Sequence, residues 1–136
     1  MTQRADPTPS QLARQFLDTI GDRDLDGLRA IVDEGALFWT NLGQEDVDRE
    51  TRLARVAMEF SLFETFAFEA ARIDEFADGF VVRASARGSL GDGQRFEFPV
   101  CIVGETRDGR IVRLEEYVDS GPVAPILGAL AGAASG

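Results

Sequence analysis

Three Asp-Gly pairs, Asp78-Gly79, Asp92-Gly93 and Asp108-Gly109, punctuate the second half of the chain, each between runs rich in β-branched and aromatic residues. Asp-Gly is a strong hairpin signal because both turn residues tolerate positive φ. The flanking runs, about Thr65–Phe76, Phe80–Leu90, Gln94–Thr106 and Arg110–Val118, therefore predict four consecutive antiparallel strands. Strands of this length must twist, and a meander built from them is expected to curve.

The first half has a helical period. Thr8 followed by Pro9 and Gln11 predicts a capped start. Leu12, Phe16, Leu17 and Ile20 then form one apolar face, and Gly21 stops the helix. Asp24 caps a second helix with Leu25, Leu28, Ile31 and Val32 as its buried stripe, ended by Gly35. Ala36–Thr40 reads as a short strand. A third helix is expected over roughly Val47–Phe60, with Leu53, Val56, Ala57 and Phe60 on one face. Gly121-Pro122 breaks the last strand, and Val123–Leu130 can close the domain as a helix. At 136 residues this is one domain, long enough to bury roughly two-thirds of its unfolded surface. The expected division is a flexible 1–7, a single domain over 8–130 and a flexible 131–136.

Composition removes whole classes of chemistry. The chain has no histidine, and all 14 of its basic residues are arginine. Histidine-dependent nucleophilic triads, Schiff-base lysines, phosphate-loop lysines and His-containing metal sites are all excluded. Proton transfer must use carboxylates, Tyr117 or Cys101. A net charge of −10 argues against nucleic acid or an anionic membrane as partner. With one cysteine there is no internal disulfide, and MTQRADPTPS has no apolar signal core, so a cytoplasmic protein is expected.

The run FLDTIGDRDLDGLRAIVDEGALFW, with Phe16, Asp24, Leu28 and Trp39, and the final strand GRIVRLEEYVD resemble the SnoaL-like branch of the nuclear-transport-factor-2-like superfamily. The resemblance covers about Gln11 to Leu127. It implies an α+β, cone-shaped fold: three N-terminal helices packed on a strongly curved antiparallel sheet that encloses a pocket. It also implies a homodimer through the outer face of the sheet. Family members include polyketide cyclases, ketosteroid isomerases and limonene epoxide hydrolase, alongside non-catalytic modules, so the resemblance supplies a pocket and not a reaction.

On the last strand, Arg113, Glu115, Tyr117 and Asp119 share one face, while Val112, Leu114, Glu116 and Val118 share the other. Asp119 matches the acid–base carboxylate of the cyclases and the epoxide hydrolase, a role that demands an apolar setting to raise its pKa. The alternative is an Asp capping the Ser120-Gly121-Pro122 turn. Trp39 and Asn41 stand where the epoxide hydrolase has Tyr-x-Asn, which implies a water- or substrate-orienting role; a core aromatic and a turn residue are the alternatives. Arg83 and Ser85 stand at its Arg-x-Asp. Serine is a poor proton donor to an opening epoxide, so that machinery is incomplete. Cys101 in PVCIVG reads as a buried thiol. The phenylalanines at 60, 63, 66, 68, 76, 80, 96 and 98 make an apolar cavity plausible. The expected function is binding of a small hydrophobic molecule, either by a cofactor-free acid–base enzyme using Asp119, with Trp39, Asn41, Arg83, Ser85 and Tyr117 contacting substrate, or by a non-catalytic ligand-binding or dimerisation module.

Overall fold

In the computed structural model, which describes residues 5–135, the Thr8 hydroxyl accepts the Gln11 N–H at 3.1 Å and the Gln11 side chain accepts the Thr8 N–H at 2.8 Å. This reciprocal cap opens α1 (Pro9–Gly21), which buries Leu12, Ala13, Phe16 and Leu17. Asp24 caps α2 (Leu25–Ile31) by accepting from the Gly27 N–H at 2.9 Å. Arg23 joins the two with a φ of 56°. Its guanidinium donates to the carbonyls of Phe60, Phe63 and Glu64, tying this corner to the junction after the third helix.

The second helix ends four residues before Gly35. Val32 is extended, fully buried and paired with Ile111, so it opens β1 (Val32–Thr40) and does not continue the helical stripe. A β-branched Ile31-Val32 pair suits a buried strand better than a helix end. A two-residue strand, β2 (Val47–Asp48), then precedes α3 (Arg49–Leu62), whose N-cap is Asp48, accepting from Thr51 N–H at 2.7 Å. Thus α3 begins after Val47, not at it.

The meander follows as β3 (Phe63–Phe76), β4 (Gly79–Leu90), β5 (Arg95–Arg107) and β6 (Arg110–Val118), all antiparallel to their neighbours. The sheet order is β2-β1-β6-β5-β4-β3. The sheet is mixed, because β1 runs parallel to β6. The fold is therefore α+β with a six-stranded mixed sheet and four helices. The expected antiparallel sheet is corrected to a mixed one, since the first strand pairs in parallel with the last. The long excursion through α3 and the meander lets β6 return beside β1 in the same direction, as parallel pairing requires.

Only one of the three Asp-Gly pairs forms the turn that the sequence suggests. At Asp108-Gly109 both φ values are positive, 53° and 75°. At Asp92-Gly93 only Gly93 is positive, and Gly79 is already the first residue of β4, paired with Phe76.

Alternation along the strands separates two faces. Phe80, Val82, Ala86 and Leu90 of β4 and Phe96, Phe98, Val100 and Ile102 of β5 are buried beneath α1 and α3, with Ile111 and Leu114 of β6. Arg83, Arg87, Glu97 and Glu105 belong to the opposite face and are exposed. The last helix, α4 (Ala124–Ser135), runs beyond Leu130 into the segment expected to be flexible, and Val123 and Ile126 at its start are buried. Residues 1–4 of the expected flexible N-terminus lie outside the described residues.

Candidate functional site

Between the inner face of the sheet, α3 and α4 lies a cavity of about 530 Å³. Its walls are mostly aromatic, with Phe38 from β1, Phe60 from α3, Phe63, Phe66 and Phe68 from β3, and Phe98 from β5. Val123, Ile126, Leu127 and Leu130 contribute an aliphatic side. A smaller hollow of about 300 Å³ between α1 and β3 is more open to solvent and is edged by Arg14, Asp18 and Asp22. It holds no buried polar cluster.

Five charged residues line the larger cavity, and three of them are half-buried in its otherwise apolar wall. Arg52 and Glu59 stand seven residues apart, two turns, on one side of α3, and Glu116 faces them from β6. Arg52 Nη1 donates to Glu59 Oε1 at 3.0 Å, and Nη2 lies 3.5 Å from Glu116 Oε2. Side-chain exposure is 20% for Arg52 and 23% for each glutamate, as befits groups deep in the molecule that border a cavity. Among the described residues, no protein donor hydrogen-bonds to the Glu116 carboxylate; it has only the longer ionic contact.

Burial pushes the Glu116 pKa above the usual glutamate range, and the neighbouring Glu59 charge pushes it further, while Arg52 opposes both. For Arg52, burial works against the charge, but the two carboxylates outweigh it and hold the guanidinium protonated. The arrangement is a cation shared by two anions, with one excess negative charge in a low-dielectric wall. A carboxyl group so placed can take up or release a proton nearer neutral pH than an exposed one.

The residues expected to form the site are placed differently. Asp119 lies just past β6, exposed and outside the cavity lining, with Oδ1 accepting from the Gly121 N–H at 3.0 Å. This is the turn-capping geometry. Asn41 Nδ2 donates to the Val118 carbonyl and its Oδ1 accepts the Val118 N–H, both at 2.9 Å. The side chain thereby extends the β1–β6 ladder, and its amide is spent on backbone. Trp39 borders the cavity and packs its ring against Tyr117, with centroids 5.3 Å apart and planes tilted by 53°. Arg83 pairs with Asp74 at 3.1 Å, both side chains more than half exposed. Ser85 is half-buried between Glu69 and Pro99 on the same outer face. Trp39 and Tyr117 are thus brought together, and Asn41 and Asp119 flank Val118; Arg83 and Ser85 join neither group.

Sequence reasoning passed over Glu116, Arg52 and Glu59. The signal for Glu116 was present, as a lone carboxylate sharing strand parity with Leu114 and Val118. Arg52 and Glu59 bracket Val56, a buried member of the apolar stripe of α3.

Residues 13–114, three-quarters of the chain, match the SnoaL-like domain model. The chain belongs to the SnoaL-like domain family. Solved structures agree on the fold. IdmH, a candidate polyketide cyclase from Streptomyces antibioticus, superposes with a TM-score of 0.75 at 22% identity, over 88% of this chain and 98% of its own. A candidate isomerase from Bacillus subtilis gives 0.76 at 20%, over 89% and 93%. AclR, a candidate hydroxylase from Streptomyces galilaeus, gives 0.75 at 15%, over 86% and 78%. No curated protein matches the sequence significantly. In this SnoaL-like protein no described helix is long and apolar enough to cross a membrane.

Two consequences for stability follow from the site of this SnoaL-like protein. Because the folded-state pKa of Glu116 is raised, its contribution is present below the unfolded value, about 4.3, and is lost as pH climbs through the folded value. Glu116→Gln cannot ionise. Wild type should therefore lose stability relative to this variant as pH rises from about 4 towards neutrality, read from urea midpoints. A pH-independent difference would contradict the raised pKa. Removing the Asn41 side chain strips both Val118 backbone groups of their partners, so Asn41→Ala is expected to cost about 1–3 kcal/mol. A thermal or urea midpoint equal to wild type would show that water replaces the amide freely.

Proposed function

We propose that this SnoaL-like protein binds a small, largely apolar molecule in the aromatic cavity and moves a proton on it with Glu116, without metal or organic cofactor. The observation that carries this reading is the Glu116 carboxylate itself, set in an apolar wall, paired with Arg52 and, among the described residues, hydrogen-bonded by no protein donor. A carboxylate with a raised pKa is a stronger base, and when protonated a group poised to return the proton at moderate pH. The fitting reaction class removes a proton α to a carbonyl and delivers it elsewhere on the same molecule, as in an isomerisation or an aldol-type cyclisation. Arg52 keeps the carboxylate aimed while Glu59 balances the guanidinium. The cyclase and isomerase descriptions of two structural neighbours support that class. On this reading, bulges in β1, β3 and β6 bend the sheet far enough to wrap the cone-shaped enclosure around the ligand. Two copies associate through the outer face, where Leu37 and Tyr117 offer apolar surface, and the protein works in the cytoplasm.

Glu116 thus takes the role that the sequence assigned to Asp119. The test is exchange of α-protons of a panel of cyclic and polyketide-like ketones into D2O, followed by NMR. Wild type should accelerate exchange for at least one ketone. Glu116→Gln should lose about a hundred-fold or more, whereas Asp119→Asn should stay within a few-fold. The reverse ranking would return catalysis to Asp119. Binding of the ketones with no exchange by wild type would leave the second reading, a non-catalytic ligand-binding module, which the aromatic lining alone is enough to support.

A further inference from the structure

The charge distribution in the cavity says something about the ligand's head group. Five charged residues line it, and they fall into two sets. Arg55 and Glu45 are exposed at the rim and offset each other in sign. Deeper in, Arg52 faces Glu59 and Glu116, so the inner set carries one negative charge more than it neutralises when both glutamates are ionised. The Arg52–Glu59 contact is a 3.0 Å hydrogen bond, while Glu116, which also lines the cavity, has among the described residues only the 3.5 Å ionic contact to Arg52. The same cavity is lined by the Phe38, Phe60, Phe63, Phe66, Phe68 and Phe98 rings. Aromatic faces attract cations, and more strongly when desolvated. They repel anions for the same electrostatic reason.

We propose that the ligand is a hydrophobic amine bound as its ammonium ion, with the N–H groups donating to Glu116 and the hydrocarbon body held by the phenylalanine walls. An ammonium is the complement of a carboxylate that has acceptor sites and no donor, and it supplies the missing positive charge. A carboxylic acid ligand would face an inner site already in anionic excess. A neutral alcohol could donate a hydrogen bond but would leave the charge unbalanced. A proton competes with the ammonium for the same carboxylate, the more so because burial raises the Glu116 pKa. This inference rests on the cavity being a ligand site and goes with its binding reading, since a carboxylate held by an ammonium is not free to remove a proton from carbon.

The test uses three rigid probes of one shape, adamantan-1-amine, adamantan-1-ol and adamantane-1-carboxylate, titrated calorimetrically into the full-length protein at pH 7.5. The ammonium should bind about ten-fold or more tightly than the alcohol, a difference of about 1.4 kcal/mol, with the carboxylate weakest. Its affinity should fall as pH is lowered through the titration of Glu116. In Glu116→Gln the amine should lose about ten-fold or more, while the alcohol stays within about two-fold and so reports that the cavity is intact. Alcohol or carboxylate binding as tightly as the amine would overturn the amine assignment and leave the cavity reading standing. An unchanged amine preference in Glu116→Gln would do the same. If none of the three binds, the cavity reading fails and this inference fails with it.

Discussion

Replacing Arg52 with methionine is expected to destabilise the protein by about 3–5 kcal/mol, the range seen when one partner of a buried ion pair is removed. Methionine keeps most of the hydrocarbon stem, so the loss isolates the charge. Without the guanidinium, Glu59 and Glu116 confront each other across the cavity wall, and both lose their opposite charge. Part of the penalty is escapable, because Glu116 can take up a proton, and the deficit should therefore be smaller at pH 5 than at pH 7.5. The control is the triple variant Arg52→Met, Glu59→Gln, Glu116→Gln. It removes the charges together with their counter-charge and should recover most of the stability, since a neutral replacement of a whole buried ionic group is often tolerated. Urea denaturation of the three proteins measures this. A loss below about 1 kcal/mol for Arg52→Met would mean that the glutamates are solvated as surface groups are, and the account of the Glu116 pKa would fall.

The second large effect belongs to the sheet behind the cavity. Phe80 is wholly buried at the start of β4, and its cross-strand partner on β5 is Gly104. The Phe80 ring lies over that glycine, where a Cβ would collide with it. An aromatic covering a cross-strand glycine fills the space that the missing side chain leaves. Phe80→Ala should cost about 3–5 kcal/mol through lost burial and the cavity left behind. Gly104→Ala should also destabilise, by forcing the ring off its position. In the Phe80→Ala background the same glycine change should be neutral or stabilising, because its methyl then enters vacated space. That coupling, measured as a double-mutant cycle, is the discriminating result. Additive losses would show that ring and glycine do not share the space.

Local features of the chain were legible because their causes are local. Thr8, Pro9 and Gln11 specify a helix start by hydrogen bonds that reach only three residues. Asp24 does the same for α2. The four meander strands were readable to within about two residues from Asp-Gly punctuation and alternation, even though only Asp108-Gly109 adopts the expected turn. Where the reading slipped, distant partners decided. Val32 suits a helical stripe until Ile111 is available to pair with it. Ala36–Thr40 showed no partner in the sequence, and its parallel pairing with β6 depends on a strand that follows more than seventy residues later.

The candidate site divides the same way. Alternation on β6 sorted Glu116 with Leu114 and Val118, the three residues of that strand that line the cavity, since side-chain parity is a property of the strand alone. Residue types also limited proton transfer to carboxylates, Tyr117 and Cys101, because a chain without histidine or lysine has few other groups to titrate. Which face of β6 turns inward, and which carboxylate loses its water, was decided by α3 and α4 closing over the sheet. Only in that packing do Arg52, Glu59 and Glu116 meet, and desolvation, the force that shifts the Glu116 pKa, exists only once they have.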